Sequence, residues 1–115
     1  MTDSGAESGA GAGDLTVEVT FNESLQRFEA HLPGEEEVAY INVRPGTKTW
    51  AFVHTEVPAS FRGRGVGSLL VSAALDHVRQ LGVKVRPLCP FVVQYLRENP
   101  EALDAIEPSS RRHFK

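Results

Sequence analysis

Between positions 15 and 57 apolar side chains recur at every second residue in short runs, the period of half-buried strands. Leu15, Val17, Val19 and Phe21 share one face of a first run, and Phe28, Ala30 and Leu32 one face of a second. Asn22 to Ser24 turns the chain between them and Pro33-Gly34 closes the second, so the two runs are expected to pair antiparallel. Val38 to Val43, VAYINV, is β-branched and aromatic, and the Arg44-Pro45-Gly46-Thr47 that follows suits a type II turn with proline then glycine at its centre. The fourth run, TWAFVHTEV, places Trp50, Phe52, His54 and Glu56 on one face and Ala51, Val53, Thr55 and Val57 on the other. Its first half is apolar on both faces, which predicts a central strand covered from both sides; its second half turns polar on one face only. Pro58, just beyond, cannot donate a ladder hydrogen bond, so the strand is expected to part from its neighbour there.

After position 65 the period changes. Val66, Leu70, Ala74 and Val78 recur at helical spacing, flanked by Leu69, Ala73 and Leu81, and Gly82 supplies a C-cap. VKVRPL, residues 83–88, reads as a further strand, so strand, helix and strand form a βαβ unit whose right-handed crossover sets the two strands parallel. Cys89-Pro90 opens a second helix with proline at its favoured first position, and Asn99-Pro100 stops it; Leu103 and Ile106 suit one more short turn. Residues 1–13 are glycine, alanine, serine and acid and are expected to be a disordered tail. The chain thus divides into that tail, a single domain over 14–107 and a C-terminal tail over 108–115.

Composition narrows the classes of function. A chain of 115 residues is long enough to bury a core without staples. Its 41% hydrophobic and 23% charged content is that of a globular domain. A formal net charge of −3 argues against general nucleic-acid binding, which shows as a basic excess. The apolar runs fall far short of the roughly 20 residues of a membrane span, and no secretory signal pattern opens the chain. The single cysteine, Cys89, allows no internal disulfide and fits a cytoplasmic location.

The chemistry concentrates in FRGRGVG, residues 61–67, between the polar end of the fourth strand and the long helix. A loop there exposes backbone N–H groups that lack helical partners, at the positive end of the helix dipole. That is an anion site; glycines let a bulky anion approach, and Arg62 and Arg64 add charge suited to phosphate. Neither the P-loop spacing nor the dinucleotide pattern G-x-G-x-x-G is met, because the glycines alternate. Arg62-Gly63-Arg64-Gly65-Val66-Gly67 instead resembles the acetyl-CoA motif of the GNAT superfamily of N-acetyltransferases, which follows the fourth core strand. VHTEVPASFRGRGVGSLLVSAAL, a strand, and PLCPFVVQYL extend the resemblance over Leu15 to about Pro100 and are similar to its short, stand-alone YjdJ-type subgroup.

The resemblance implies an α+β minimal GNAT fold: a mixed, mostly antiparallel sheet of about five strands, the βαβ unit of strand 4, long helix and strand 5, and a C-terminal helix. It implies acetyl-CoA as cosubstrate, an amine acceptor, whether small molecule or protein or peptide amine, and no metal. Cofactor contacts fall to Arg62, Gly63, Arg64, Gly65, Val66 and Gly67 for the pyrophosphate and to the Val57 backbone for the pantetheine arm. Glu56 and His54, two residues apart, are the candidates for general base, since an ammonium must lose a proton before it attacks. Histidine titrates near neutrality, whereas a glutamate needs raising by burial. Cys89 starts a helix, where a thiolate is stabilised, and is a candidate nucleophile or proton donor to the departing thiolate; Tyr95 is the alternative acid. A CoA-binding sensor or adaptor with little turnover is the alternative function, because the turn between the first two strands leaves no room for substrate-recognition helices.

Overall fold

The computed structural model describes residues 17–114; Leu15 and the tail expected at 1–13 lie outside the described residues. Strands β1 (Glu18–Asn22), β2 (Arg27–His31), β3 (Ala39–Arg44) and β4 (Thr49–Glu56) form an antiparallel meander. Helix α1 (Val66–Leu81) then carries the chain across to β5 (Lys84–Pro87), which lies parallel to β4. The sheet order is β1-β2-β3-β4-β5, so the mixed five-stranded α+β fold expected from sequence is present. Helix α2 (Pro90–Glu98) follows β5, with Cys89 at its N-cap and Pro90 at its start. A 3₁₀ segment, Pro100–Ala105, brings the chain back along the outer edge of β5, where Ile106 bridges Val85 and the Glu107 N–H donates to the Val85 carbonyl at 2.9 Å. That covers an edge that would otherwise be open to pairing. Beyond it, Pro108–Arg111 forms the short helix α3, and Phe114 packs against the core. No helix among the described residues is long and apolar enough to cross a membrane.

The core lies between one face of the sheet and α1. Phe28, Ile41 and Phe52 point to it from the strands, and Leu70, Val71, Ala74, Leu75 and Val78 from the helix. The buried stripe of α1 therefore runs along Val71 and Leu75, while Leu69 and Leu81, expected to flank it, are exposed. Gly46 does not sit at positive φ, so the turn before β4 is not type II; a side chain there would instead strike the Thr49 carbonyl oxygen.

Two departures from the expected strand geometry shape the site. First, β4 carries a bulge. Asn42 opposes His54 but the next residue, Val43, opposes Phe52, so Val53 has no partner. An extra residue in one strand reverses the alternation beyond it. His54 and Glu56 consequently share the face of Asn42 and Tyr40, opposite to Trp50 and Phe52, and Thr55 turns to the core side with Ile41. The two faces of β4 are also not equally covered: Trp50 and Phe52 are buried, but Ala51 and Val53 only partly so. Second, β4 and β5 part early. Their pairing ends at Phe52 and Pro87, closed by the Leu88 N–H donating to the Phe52 carbonyl at 3.0 Å, well before Pro58. The bulge that bends β4 away separates the strands; along β5 the N–H groups of Lys84 and Leu88 face β4, so the nitrogen of Pro87 faces the outer edge and removes no rung.

Candidate active site

The turn between β4 and α1 is built from local constraints. A 3₁₀ turn, Ala59–Phe61, buries Phe61 and returns its N–H to the Pro58 carbonyl at 2.9 Å. Gly63 and Gly65 follow at φ +77°, a conformation that costs other residues about 1–2 kcal/mol, and a Cβ at either would point into open space. Gly65 is the N-cap of α1, and the first helical bond runs from the Leu69 N–H to its carbonyl at 3.1 Å. The N–H groups of Val66, Gly67 and Ser68 are thus left without helical acceptors at the positive end of a 16-residue helix. Gly67 has a different reason: a side chain there would run into the ring of Phe91, on the first turn of α2.

Over this turn lies an open groove of about 450 Å³, lined by Thr55, Glu56, Val57, Phe61, Arg62, Gly63, Gly65, Val66, Gly67, Ser68 and Phe91. It starts where β4 has parted from β5 and ends on the free N–H groups of α1. An elongated anion with an apolar arm fits such a shape: Phe61, Val66 and Phe91 give apolar wall, and the helix terminus and Arg62 give donors.

Of the residues singled out from sequence, Glu56, Val57, Arg62, Gly63, Gly65, Val66 and Gly67 all line the groove. The Arg62 Nε donates to the Val57 carbonyl at 3.3 Å, which ties the loop back to the strand end. Arg64 lies off the groove wall and is exposed, with its Nη1 3.5 Å from the Ser60 carbonyl. His54 does not line the groove, but its Nε2 lies 3.2 Å from Glu56 Oε1, both side chains about half exposed. Across from them on the same open face, Tyr40 holds its ring 6.3 Å from that of His54 and is covered by the Arg27 guanidinium at 4.3 Å.

Cys89 is 3% exposed and forms part of the core. Its Sγ makes no capping bond to α2; the thiol donates to Thr55 Oγ1 at 3.1 Å. Tyr95 is half-buried against the core and is not on the groove wall. Thr55, Ser68 and Phe91 are groove residues that sequence reasoning missed. Thr55 was hidden by the bulge, which no residue type announces. Phe91 left no trace either: that its ring lies against Gly67 is visible only in the structure.

The βαβ crossover with parted strands and a glycine turn opening its helix is the arrangement that the resemblance implied, and comparison with known proteins gives the family. A model of the GCN5-related N-acetyl-transferase family matches residues 27–105. The chain belongs to that family, as the resemblance in its motifs implied. Its relatives include the human Protein NATD1, 40% identical over 95 residues that cover 80% of this chain and 84% of that protein. The Protein NATD1 of Xenopus tropicalis is 31% identical over 96 residues, covering 81% and 88% of the two chains. That of Danio rerio is 31% identical over 85 residues, covering 73% and 77%.

Proposed function

We propose that the chain is an acetyl-CoA-dependent N-acetyltransferase acting on a primary amine. The observation that carries this reading is the groove joining the parted ends of β4 and β5 to the free N–H groups at the start of α1. Pyrophosphate would rest on the backbone of Gly63 to Gly67, with Arg62 adding charge, and the pantetheine arm would follow β4 past Val57 toward Thr55. In this reading the two reactants lie on opposite faces, which the register of β4 beyond its bulge supports. Thr55 looks toward the helices, whereas Glu56 and His54 look out on the open polar face, from which an amine can approach the thioester through the gap.

In this mechanism Glu56 or His54, hydrogen-bonded to one another, takes the proton of the ammonium. The free amine then attacks the thioester carbon, and backbone N–H groups near Val57 stabilise the oxyanion. Direct transfer is favoured over an acetylated Cys89, because that thiol is buried and off the groove wall.

Thermal unfolding with acetyl-CoA, followed by turnover on an amine panel, tests the proposal. A ligand at 100 times its Kd adds about 2.7 kcal/mol, which in a domain of this size raises Tm by on the order of 10 °C. Absence of any shift overturns the cofactor assignment. A shift without turnover on any amine supports instead a CoA-binding sensor. Glu56→Gln is expected to lower kcat by roughly 10²- to 10⁴-fold; full activity in both Glu56→Gln and His54→Ala would overturn the base assignment.

A further inference from the structure

The pair formed by Cys89 and Thr55 has no place in the scheme above, yet Thr55 lines the groove. Thr55 Oγ1 accepts the Cys89 thiol at 3.1 Å. A hydroxyl has one hydrogen to give, and that of Thr55 has no acceptor among the described residues. With its oxygen occupied on the core side by the thiol, its own O–H is left to point into the groove that the residue lines. A half-used donor on a groove wall calls for an acceptor from the ligand.

We propose that Thr55 is the catalytic residue that contacts the sulfur of the acyl thioester, and that Cys89 is a positioning residue acting through it. The inference rests on the acetyl-CoA reading. When the tetrahedral intermediate collapses, its C–S bond breaks and the electron pair leaves on sulfur. The Thr55 hydroxyl proton moves to that sulfur, and Thr55 Oγ1 takes the proton of the Cys89 thiol. As the intermediate collapses, its nitrogen gives up the second proton to the Glu56–His54 pair, which already holds the first. The products are the amide, the free thiol of CoA, an intact Thr55 hydroxyl, a thiolate at Cys89 and a doubly protonated Glu56–His54 pair. Donor and final acceptor are both alkyl thiols, so the exchange is chemically matched. The charge left on Cys89 sits at the N-cap of α2, the positive end of a nine-residue helix. Cys89 recovers its proton from water through the same hydroxyl after the thiol product leaves, and at no point bonds to the acetyl group.

The geometry of the fold makes this division sensible. Consecutive strand residues serve opposite faces, and the bulge at Val53 decides which is which: Glu56 meets the amine on the open side and Thr55 meets the sulfur on the helix side. Base and acid are therefore adjacent in sequence but separated by the plane of the sheet, each on the side of its own reactant.

The test compares CoA with desulfo-CoA, whose sulfur is replaced by hydrogen, as ligands of the wild type, Thr55→Val, Thr55→Ser and Cys89→Ala, by calorimetry. The wild type is expected to prefer CoA by about 10-fold, the equivalent of one hydrogen bond. Thr55→Val keeps the shape, loses the hydroxyl and should bind both ligands alike, at the wild-type affinity for desulfo-CoA; Thr55→Ser should restore the preference. With an accepted amine, Thr55→Val is expected to lower kcat by roughly 10²-fold with the KM for amine unchanged. If the wild type binds neither ligand, the acetyl-CoA reading itself falls. If it binds CoA but shows no preference for sulfur, or if Thr55→Val keeps that preference and kcat, the role of Thr55 is overturned while acetyl-CoA binding stands. An acetyl adduct on Cys89 in the wild type, seen by intact mass, would overturn the relay in favour of an acyl-enzyme.

Discussion

Gly63, Gly65 and Gly67 form one pattern in the sequence but meet two separate demands. The first two hold φ at +77° beside open space, and the third keeps a helix turn flat against Phe91. At Gly67 two effects of opposite sign compete when alanine is introduced. In a helix, Gly→Ala ordinarily gains about 0.5–1 kcal/mol. At Gly67 the new methyl meets the Phe91 ring, and overpacking of this kind costs about 1–3 kcal/mol. Gly67→Ala alone is therefore expected to destabilise, even though Phe91 is 39% exposed and has room to swing outward. In a Phe91→Ala background the same change should become stabilising. Denaturant unfolding of the four proteins reads the coupling, and a Gly67→Ala that stabilises both backgrounds would show that ring and glycine do not press on one another. The same three positions show what one sequence reveals. That glycines mattered here was legible; that Gly67 matters for another reason than Gly63 and Gly65 was not, because φ and the neighbour across a turn leave no mark in residue type.

Helix α1 sharpens the point at the scale of elements. Its limits were legible, since Gly65 and Gly82 bracket an apolar period, and Gly82 donates back to the Arg79 carbonyl at 3.1 Å. The centre of its buried stripe was legible too, at Val66, Leu70, Ala74 and Val78. Which side of that line is buried was not, because apolar residues flank it on both sides and the sheet's twist decides between them. Leu75 is 1% exposed and Leu81 52%, though both are leucines on one helix. Leu75→Ala is expected to cost about 2–5 kcal/mol, as buried leucines do, and Leu81→Ala no more than about 0.5 kcal/mol. Equal losses of Tm in the two variants would contradict the placement of the stripe. Strand β4 follows the same logic: alternation found the strand, but the unpaired Val53 reversed its far half and so hid Thr55. His54 and Glu56 were rightly paired with each other, because both lie beyond the bulge, and wrongly aligned with Phe52, which lies before it.

Across the whole molecule, distant segments are fastened by carboxylates. Glu29 accepts from Asn22 at 3.0 Å and from Arg27 at 2.7 Å, with His31 at 3.5 Å, which joins β1 to β2 on the open face. Asp104 receives a two-pronged guanidinium from Arg79, at 3.1 and 2.9 Å, which joins the 3₁₀ return to α1. Glu107 accepts from Arg86 at 2.9 Å and from Ser110 at 2.7 Å, which joins β5 to α3. Burial raises the Glu29 carboxyl, but the hydrogen bonds from Arg27 and Asn22 and the nearby charges together hold it below the ordinary range. The Arg79 hydrogen bond lowers Asp104, and those from Arg86 and Ser110 lower Glu107. A carboxylate whose folded pKa lies below its unfolded one contributes stability that is complete above the unfolded value, roughly pH 4, and is lost as pH falls through the folded value. All three act in the same direction, so Tm should hold steady from neutrality down to that region and drop below it. Glu29→Gln and Glu107→Gln should each lower Tm at neutral pH and flatten the fall in acid, because their side chains are largely shielded from water. Asp104→Asn should flatten it least, since that carboxylate is 63% exposed and its pairing is screened by solvent. Melting curves of the four proteins between neutral pH and about pH 3 decide the matter. An acid limb as steep in Glu29→Gln and Glu107→Gln as in the parent would mean that these carboxylates decorate the joints between elements rather than hold them, and that apolar packing of α1 and the Ile106 return alone keeps the sheet closed around its site.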